Sequence, residues 1–373
     1  MKCKNIIHIT HTNPFIDSRI LNISESIYKL DQNYFQYIFG LSRNKLKIKK
    51  IKKTKIIALR LLSKYIPKNL NFLKKFFLLV EFNIKILSKC LLIKPKIVHC
   101  HDLSGLYIGL ITKLIFKSKF IFDAHELEAQ EGFVSPLEHV LRTIYEFLPI
   151  LFCDNLITVS ESISLWYGWK GAKNVSIIQN KATNNESAIE SKKTLLEKMP
   201  PKNKGHNLIY IGMLERFRSV EDLLHKFKNK SNYNLYFLGE GPLEKIIKKE
   251  MQTSKNIFLH PYVRKDLVSN FIKGFDYSIC IIEKTSLSSY FSMPNKLFQS
   301  LASGVPVIVA DNPDMANFVR KNDYGIVTRN IKDIDIQIEK NSDNLFKFRD
   351  NIYNDRSQFF WDSEFHKIKK IYG

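Results

Sequence analysis

The sequence predicts an α/β protein built from two doubly wound parallel-sheet domains in tandem. Three observations carry this. The chain has 373 residues, too many for one ordinary core. Short β-branched runs alternate with amphipathic stretches in both halves, the pattern of parallel strands joined by crossover helices. The alternation breaks once, at a polar segment near the middle, and then restarts. A hydrophobic content of 45% supports packed cores and excludes a disordered chain.

In the first half, strands are predicted at 6–10, 34–41, 97–100, 119–124, 155–160 and 175–179. Between the first two, Asp17 and Ser18 offer caps to a helix in which Ile20, Ile23, Ile27 and Leu30 recur at helical spacing. Residues 183–206 are polar and hold Pro200, Pro201 and Gly205, and are read as a linker. Strands resume at 208–212, 235–239, 257–260, 277–282, 305–310 and 325–328. The expected domains are therefore 1–182 and 207–352. A tail, 353–373, closes the chain with a helix packing back toward the first domain, Trp361, Phe365, Ile368 and Ile371 sharing one face.

Five scattered cysteines without a CxxC pair give neither a disulfide framework nor a zinc site, so a reducing cytosol is expected. The N-terminus lacks a signal-peptide pattern, and no apolar run reaches the length of a spanning helix. Net charge is +22 and uneven: residues 43–96 hold seventeen basic residues against one acid, Glu81. Within 60–93, Phe72, Leu73, Phe76, Phe77, Leu79, Val80, Phe82 and Ile84 mix with lysines 64, 68, 74, 75, 85 and 89. Aromatic and basic residues together suit an anionic membrane surface, and peripheral attachment near a lipid-linked acceptor is expected here; an ordinary buried helix with a basic outer face is the alternative. Nucleic acid is not an expected partner, because no recognised module accompanies the charge.

The richest segment is Ser292-Met-Pro-Asn-Lys-Leu-Phe-Gln-Ser-Leu-Ala-Ser-Gly304. Pro294 fits a helix start, and Gly304 ends the helix before the next strand. Lys296 opposes the macrodipole there unless a phosphate sits at the helix N-terminus; a solvated surface lysine is the alternative. Arg218 lies before another helix start, where Ser219 and Asp222 resemble a capping box. Its guanidinium can fork onto phosphate oxygens or pair with Glu215 or Glu221. Gly239 and Gly241 form a turn that would let a flat base approach the backbone. In the first half, His101-Asp102 and Asp123-Ala-His125-Glu126 end two strands, the edge where open parallel sheets bind ligands. Asp333-Ile-Asp335 reads as solvated surface.

The ordered segments HTNPFIDSRI, IVHCHD, FDAHE, LITVSES, YIGMLERFRSVEDLL, FLGEGP and SMPNKLFQSLASGVPVIVA resemble glycosyltransferase family 4. The similarity is greatest to its PNKLFEY-type members, many of which build bacterial surface polysaccharide, and runs from about residue 6 to residue 325. The resemblance implies the GT-B fold, two Rossmann-like domains facing a central cleft, and transfer with retention from a nucleotide diphosphate sugar. UDP-sugar is favoured over GDP-sugar, as substrate and not cofactor, with no metal required. A lipid-linked or saccharide acceptor is expected, and the cysteine pattern and the basic 60–93 stretch lead to an expected setting in the cytoplasm, peripheral on the inner face of the plasma membrane. The implied catalytic residues are Arg218, Lys296, His125 and Glu126. Gly212, Gly239, Gly241, Met293, Asn295 and Gln299 would bind the donor; Asp17, Arg19 and His101 would face the acceptor. Two positions depart from the family pattern: Gln299 stands where it has Glu, and Phe291 where many members keep an acid. A sugar-nucleotide epimerase or hydrolase of the same fold is the other enzyme reading.

Overall fold

Apolar strands pack helices against a mostly parallel sheet, and this happens twice. The computed structural model describes residues 4–42, 46–65, 71–130, 132, 135–183, 204–216, 218–260, 263 and 265–373, without the side chains of 64, 71–76 and 265–267. Most of the expected linker, 184–203, lies outside the described residues, as do Lys68 and the side chains of Lys64, Phe72, Leu73, Lys74, Lys75 and Phe76. The chain divides into two compact units, 1–179 with 364–373, and 180–363.

In the first unit the elements run β1 (Lys4–Thr10), α1 (Ser18–Leu30), β2 (Tyr34–Leu41), β3 (Lys47–Ile51), β4 (Thr54–Leu59), α2 (Asn71–Ile93), β5 (Ile97–His101), α3 (Leu106–Phe116), β6 (Lys119–Asp123), α4 (Pro136–Phe152), β7 (Asn155–Thr158), α5 (Glu161–Trp169) and β8 (Val175–Ile177). Strand order is β3-β4-β2-β1-β5-β6-β7-β8, so the order reverses between β1 and β5. Pairing is parallel except at β3, which runs antiparallel to β4. The β3–β4 hairpin was not expected from sequence. All five β3 residues are exposed, so the strand buries nothing that hydrophobic patterning could register. Lysines along such an edge also deter pairing with another chain. In α2, Phe82, Ile86 and Cys90 form a buried stripe, while Phe77 and Ile84 face outward.

The second unit runs β9 (His206–Ile211), α6 (Val220–Phe227), β10 (Tyr233–Leu238), α7 (Glu244–Thr253), β11 (Ile257–His260), α8 (Lys265–Ile272), β12 (Tyr277–Cys280), α9 (Leu287–Tyr290), α10 (Asn295–Ala302), β13 (Val307–Ala310), α11 (Pro313–Asn322), β14 (Gly325–Thr328), α12 (Ile334–Lys340) and α13 (Leu345–Asn354). Its order, β11-β10-β9-β12-β13-β14, is wholly parallel and reverses between β9 and β12. Leu208, Tyr210, Leu235 and Phe237 join one core, whereas Ile209, Ile211, Tyr236 and Leu238 join the other. The period-two alternation thus feeds both faces of one sheet.

The last helix, α14 (Phe365–Tyr372), belongs to the first unit, and Ile368, Ile371 and Tyr372 are buried there. Trp361 does not share its face. It lies in a preceding 3-10 turn of the second unit, where its N–H donates to Ala182 O at 2.8 Å. Asp333-Ile-Asp335 also departs from expectation. Asp335 is buried and pairs with Lys226 (2.5 Å) and Lys230, which outweigh the upward effect of burial and hold its carboxyl at about 2. Cys90, Cys100, Cys153 and Cys280 are free and buried. Among the described residues no helix is long and apolar enough to cross a membrane.

Candidate active site

Each sheet reverses its strand order at one point, and the chemistry-bearing side chains gather at the carboxyl ends of the strands flanking it, where open α/β sheets bind ligands.

In the second unit these strands are β9 and β12. Helix α10 begins after Pro294, which provides no side-chain cap, so its first N–H groups are not satisfied by a capping oxygen. Pro294 is therefore the cap residue and not part of the first turn. Lys296, the second helical residue, turns its ammonium inward: Nζ lies 4.7 Å from the Tyr210 ring centroid and 3.4 Å from Ile281 O. Among the described residues it pairs with no carboxylate. Burial lowers its pKa first, and the charge of Arg218 lowers it further. The two cations thus sense each other across the β9–β12 ends.

Arg218 itself is half-exposed and donates from Nε to Glu215 Oε1 at 2.8 Å. Ser219 does not form the expected capping box. It takes a left-handed conformation, φ 63°, makes no side-chain cap, and donates its N–H to Glu283 Oε1 at 2.9 Å. Glu283, which sequence reasoning missed, fastens the Arg218 loop to the segment after β12.

The glycines have a packing reason of their own beside the expected base contact. A Cβ on Gly239 would lie 1.8 Å from Gly212 O, and one on Gly241 2.3 Å from Leu214 O. They permit the loops after β9 and β10 to cross, stitched by Leu214 N–H to Glu240 O at 2.9 Å. Of the other donor-side residues, Met293 is buried, Asn295 is exposed at the helix start, and Gln299 is half-buried. Ser300 Oγ fixes the back of α10 by donating to Ser278 Oγ at 2.7 Å.

In the first unit, β1, β5 and β6 bring together a cluster larger than the sequence suggested. At its centre Asp123 is fully buried, and Arg19 forks onto it, Nε to Oδ2 at 2.9 Å and Nη2 to Oδ1 at 2.7 Å. Burial would raise the Asp123 carboxyl; Arg19, then the neighbouring histidines, hold it well below its usual value. Three imidazoles face Oδ2: His101 at 3.4 Å, His125 at 3.6 Å and His99 at 3.7 Å. His8, a further member, meets His101 at 3.2 Å and Gln36 at 3.1 Å. Tyr372 from α14 reaches His99 Nδ1 at 2.5 Å. Burial is the first cause lowering the pKa of His8 (to about 3), His99 and His101.

Two acceptor-side expectations, Arg19 and His101, are revised. Arg19 is 5% exposed and spent on Asp123. His101 is fully buried, so it supports the cluster from within. Asp17 caps α1, accepting from Ile20 N–H at 3.3 Å. His125 remains open to solvent, its side chain 25% exposed, and Glu126 beside it is half-buried. His101, Asp123 and His125 have the donor types and proximity, within 4.8 Å, that a metal would need. Arg19 already neutralises the carboxylate, and its guanidinium would repel a dication placed there.

Residues 205–341 match the family described as glycosyl transferases group 1. No curated protein matches the chain in sequence. Among solved structures, sucrose-phosphate synthase of Thermosynechococcus elongatus is similar at TM-score 0.75 and 14% identity, over 99% of this chain and 98% of its own. The catalytic domain of starch synthase IV from Arabidopsis thaliana, bound to ADP and acarbose, gives 0.69 and 12% over 100% and 99%. Anabaena HepE in complex with UDP gives 0.66 and 10% over 98% of each chain. These likenesses establish the fold as GT-B, and the family match over the second unit establishes a glycosyltransferase.

Proposed function

We propose that the chain transfers a sugar from a nucleotide diphosphate sugar, with retention, to a lipid-linked or saccharide acceptor in bacterial surface polysaccharide synthesis. One observation carries the donor half of this reading: a half-buried ammonium, Lys296, without a carboxylate partner among the described residues, at an uncapped helix start beside a second cation. Such an arrangement costs folding energy unless an anion completes it. UDP is favoured as the nucleotide because HepE, alike in fold, has been solved with UDP and with UDP-glucose.

When the bond from the anomeric carbon to the phosphate oxygen breaks, the electron pair leaves with the diphosphate. Lys296, the α10 N–H groups and Arg218, released from Glu215, stabilise that charge without reorganising solvent. No metal is required for this. The acceptor hydroxyl attacks on the face the diphosphate leaves, and its proton passes to the departing phosphate oxygen. His125, held by the Asp123 cluster, supplies a hydrogen bond to a sugar hydroxyl, with Glu126 alongside. An anionic membrane on the cytoplasmic side is the proposed site of action, because the acceptor is lipid-linked and the chain strongly basic.

Turnover assays on Lys296→Ala and Arg218→Ala test the donor site. Each is expected to lose roughly 10²–10³-fold in kcat with an unchanged far-UV spectrum. Near-normal turnover in both variants defeats the assignment.

A further inference from the structure

Helix α4 is amphipathic in the wrong sense for a helix that only covers a sheet. Its inward side carries Glu146, Pro149 and Ile150. Its outward side carries Leu141, Ile144, Phe147 and Leu148, with Leu137 and Val140 a turn earlier and Phe152 at the end. These seven side chains are 44–67% exposed. At 100° per residue they span an arc of about 140°, in which no charged residue of the helix falls. Glu138 and Arg142 pair with each other on its flank at 2.6 Å. The stripe runs about 25 Å, the length of seventeen helical residues.

The neighbouring helices extend it. α5 presents Leu165 and Trp169, 58% and 86% exposed, and is tied to α4 by Tyr167 and Lys170 on Glu146. α3 presents Leu114 and Ile115 and packs on α4 through Tyr107 and Tyr145, ring centroids 4.6 Å apart. Exposed lysines 117 and 173 border these helices. The unit as a whole holds thirty lysines and arginines against fourteen acids, a net +16 of the chain's +22.

We infer that the outer face of α4, with Trp169 beside it, docks flat onto an anionic lipid bilayer. An uncharged apolar stripe enters the boundary of headgroups and acyl chains, a tryptophan suits that boundary, and surrounding lysines meet anionic headgroups. A second copy of the same face is disfavoured by the repulsion of two units at +16 each. The inference deepens the proposed lipid-linked acceptor and rests on that reading for its use. Docking is read without donor, so its failure leaves the donor site standing.

The test uses the full chain and vesicles of phosphatidylcholine, alone or mixed with phosphatidylglycerol. Wild type is expected to sediment with the mixed vesicles only, and Trp169 emission to shift to the blue. Leu141→Asp combined with Ile144→Asp should weaken sedimentation about tenfold or more, since two apolar side chains no longer leave water. Both positions are exposed, so thermal stability and UDP binding should hold. Trp169→Phe should abolish the blue shift while sedimentation persists. Three results overturn the inference: wild type left in the supernatant with mixed vesicles, an aspartate variant that sediments like wild type, or a dimer in sedimentation velocity that the aspartates dissolve.

Discussion

Arg19 and Asp123 are 104 positions apart in sequence, yet they form the centre of the first unit's polar cluster. Removing one partner of a buried pair leaves the other charge without compensation. Arg19→Ala is expected to cost about 3–5 kcal/mol in urea denaturation; a loss under about 1 kcal/mol would show that the pair is not a structural fastener. The same cluster sets an acid limit. His8 titrates near 6.5 when unfolded and near 3 when folded, so the unfolded chain takes up its proton first as pH falls. Stability is complete above 6.5 and declines as pH drops toward 3, and Asp123, also lowered, adds to the loss below 3.8. Melting temperature should therefore be level above about pH 6.5 and fall steadily below it. A level profile down to about pH 4 contradicts this. Sequence reading found His101 and His125 through their strand-end positions. It misplaced Arg19, because a D-x-R spacing says nothing about which way a guanidinium turns or which distant carboxylate it meets.

Elements were legible where they bury a periodic face. The α1 stripe of Ile20, Ile23 and Ile27, all fully buried, is visible as helical spacing, and Asp17 as its cap. Asp17→Ala should cost about 1 kcal/mol of stability by chemical denaturation, and no loss would mean that the cap bond is not formed in solution. Helix α10 was legible from Pro294 and Gly304, since each residue type has a positional reason at a helix end. The β3–β4 hairpin was not, because its outer strand faces solvent along its whole length. The role of Gly239 was also hidden. In sequence, a glycine that lets two loops cross reads the same as one that admits a ligand, and the neighbouring carbonyl shows the first of these roles.

For the whole molecule, the doubly wound pattern was readable because strand–helix alternation recurs in both halves, whereas the division of the tail was not. Spacing alone placed Trp361 with the last helix, but the chain turns between them and each part joins a different unit. What unites the molecule functionally is charge. Among the described residues Lys296 pairs with no carboxylate, while Arg218 near it is held by Glu215, and a nucleoside diphosphate is the anion that the reading supplies. Calorimetric titration of UDP into wild type and Lys296→Ala tests this most directly. Loss of one hydrogen bond to a charged group predicts binding weakened about 10- to 100-fold in the variant. Equal affinity in the two proteins, or no UDP binding to either, would contradict it.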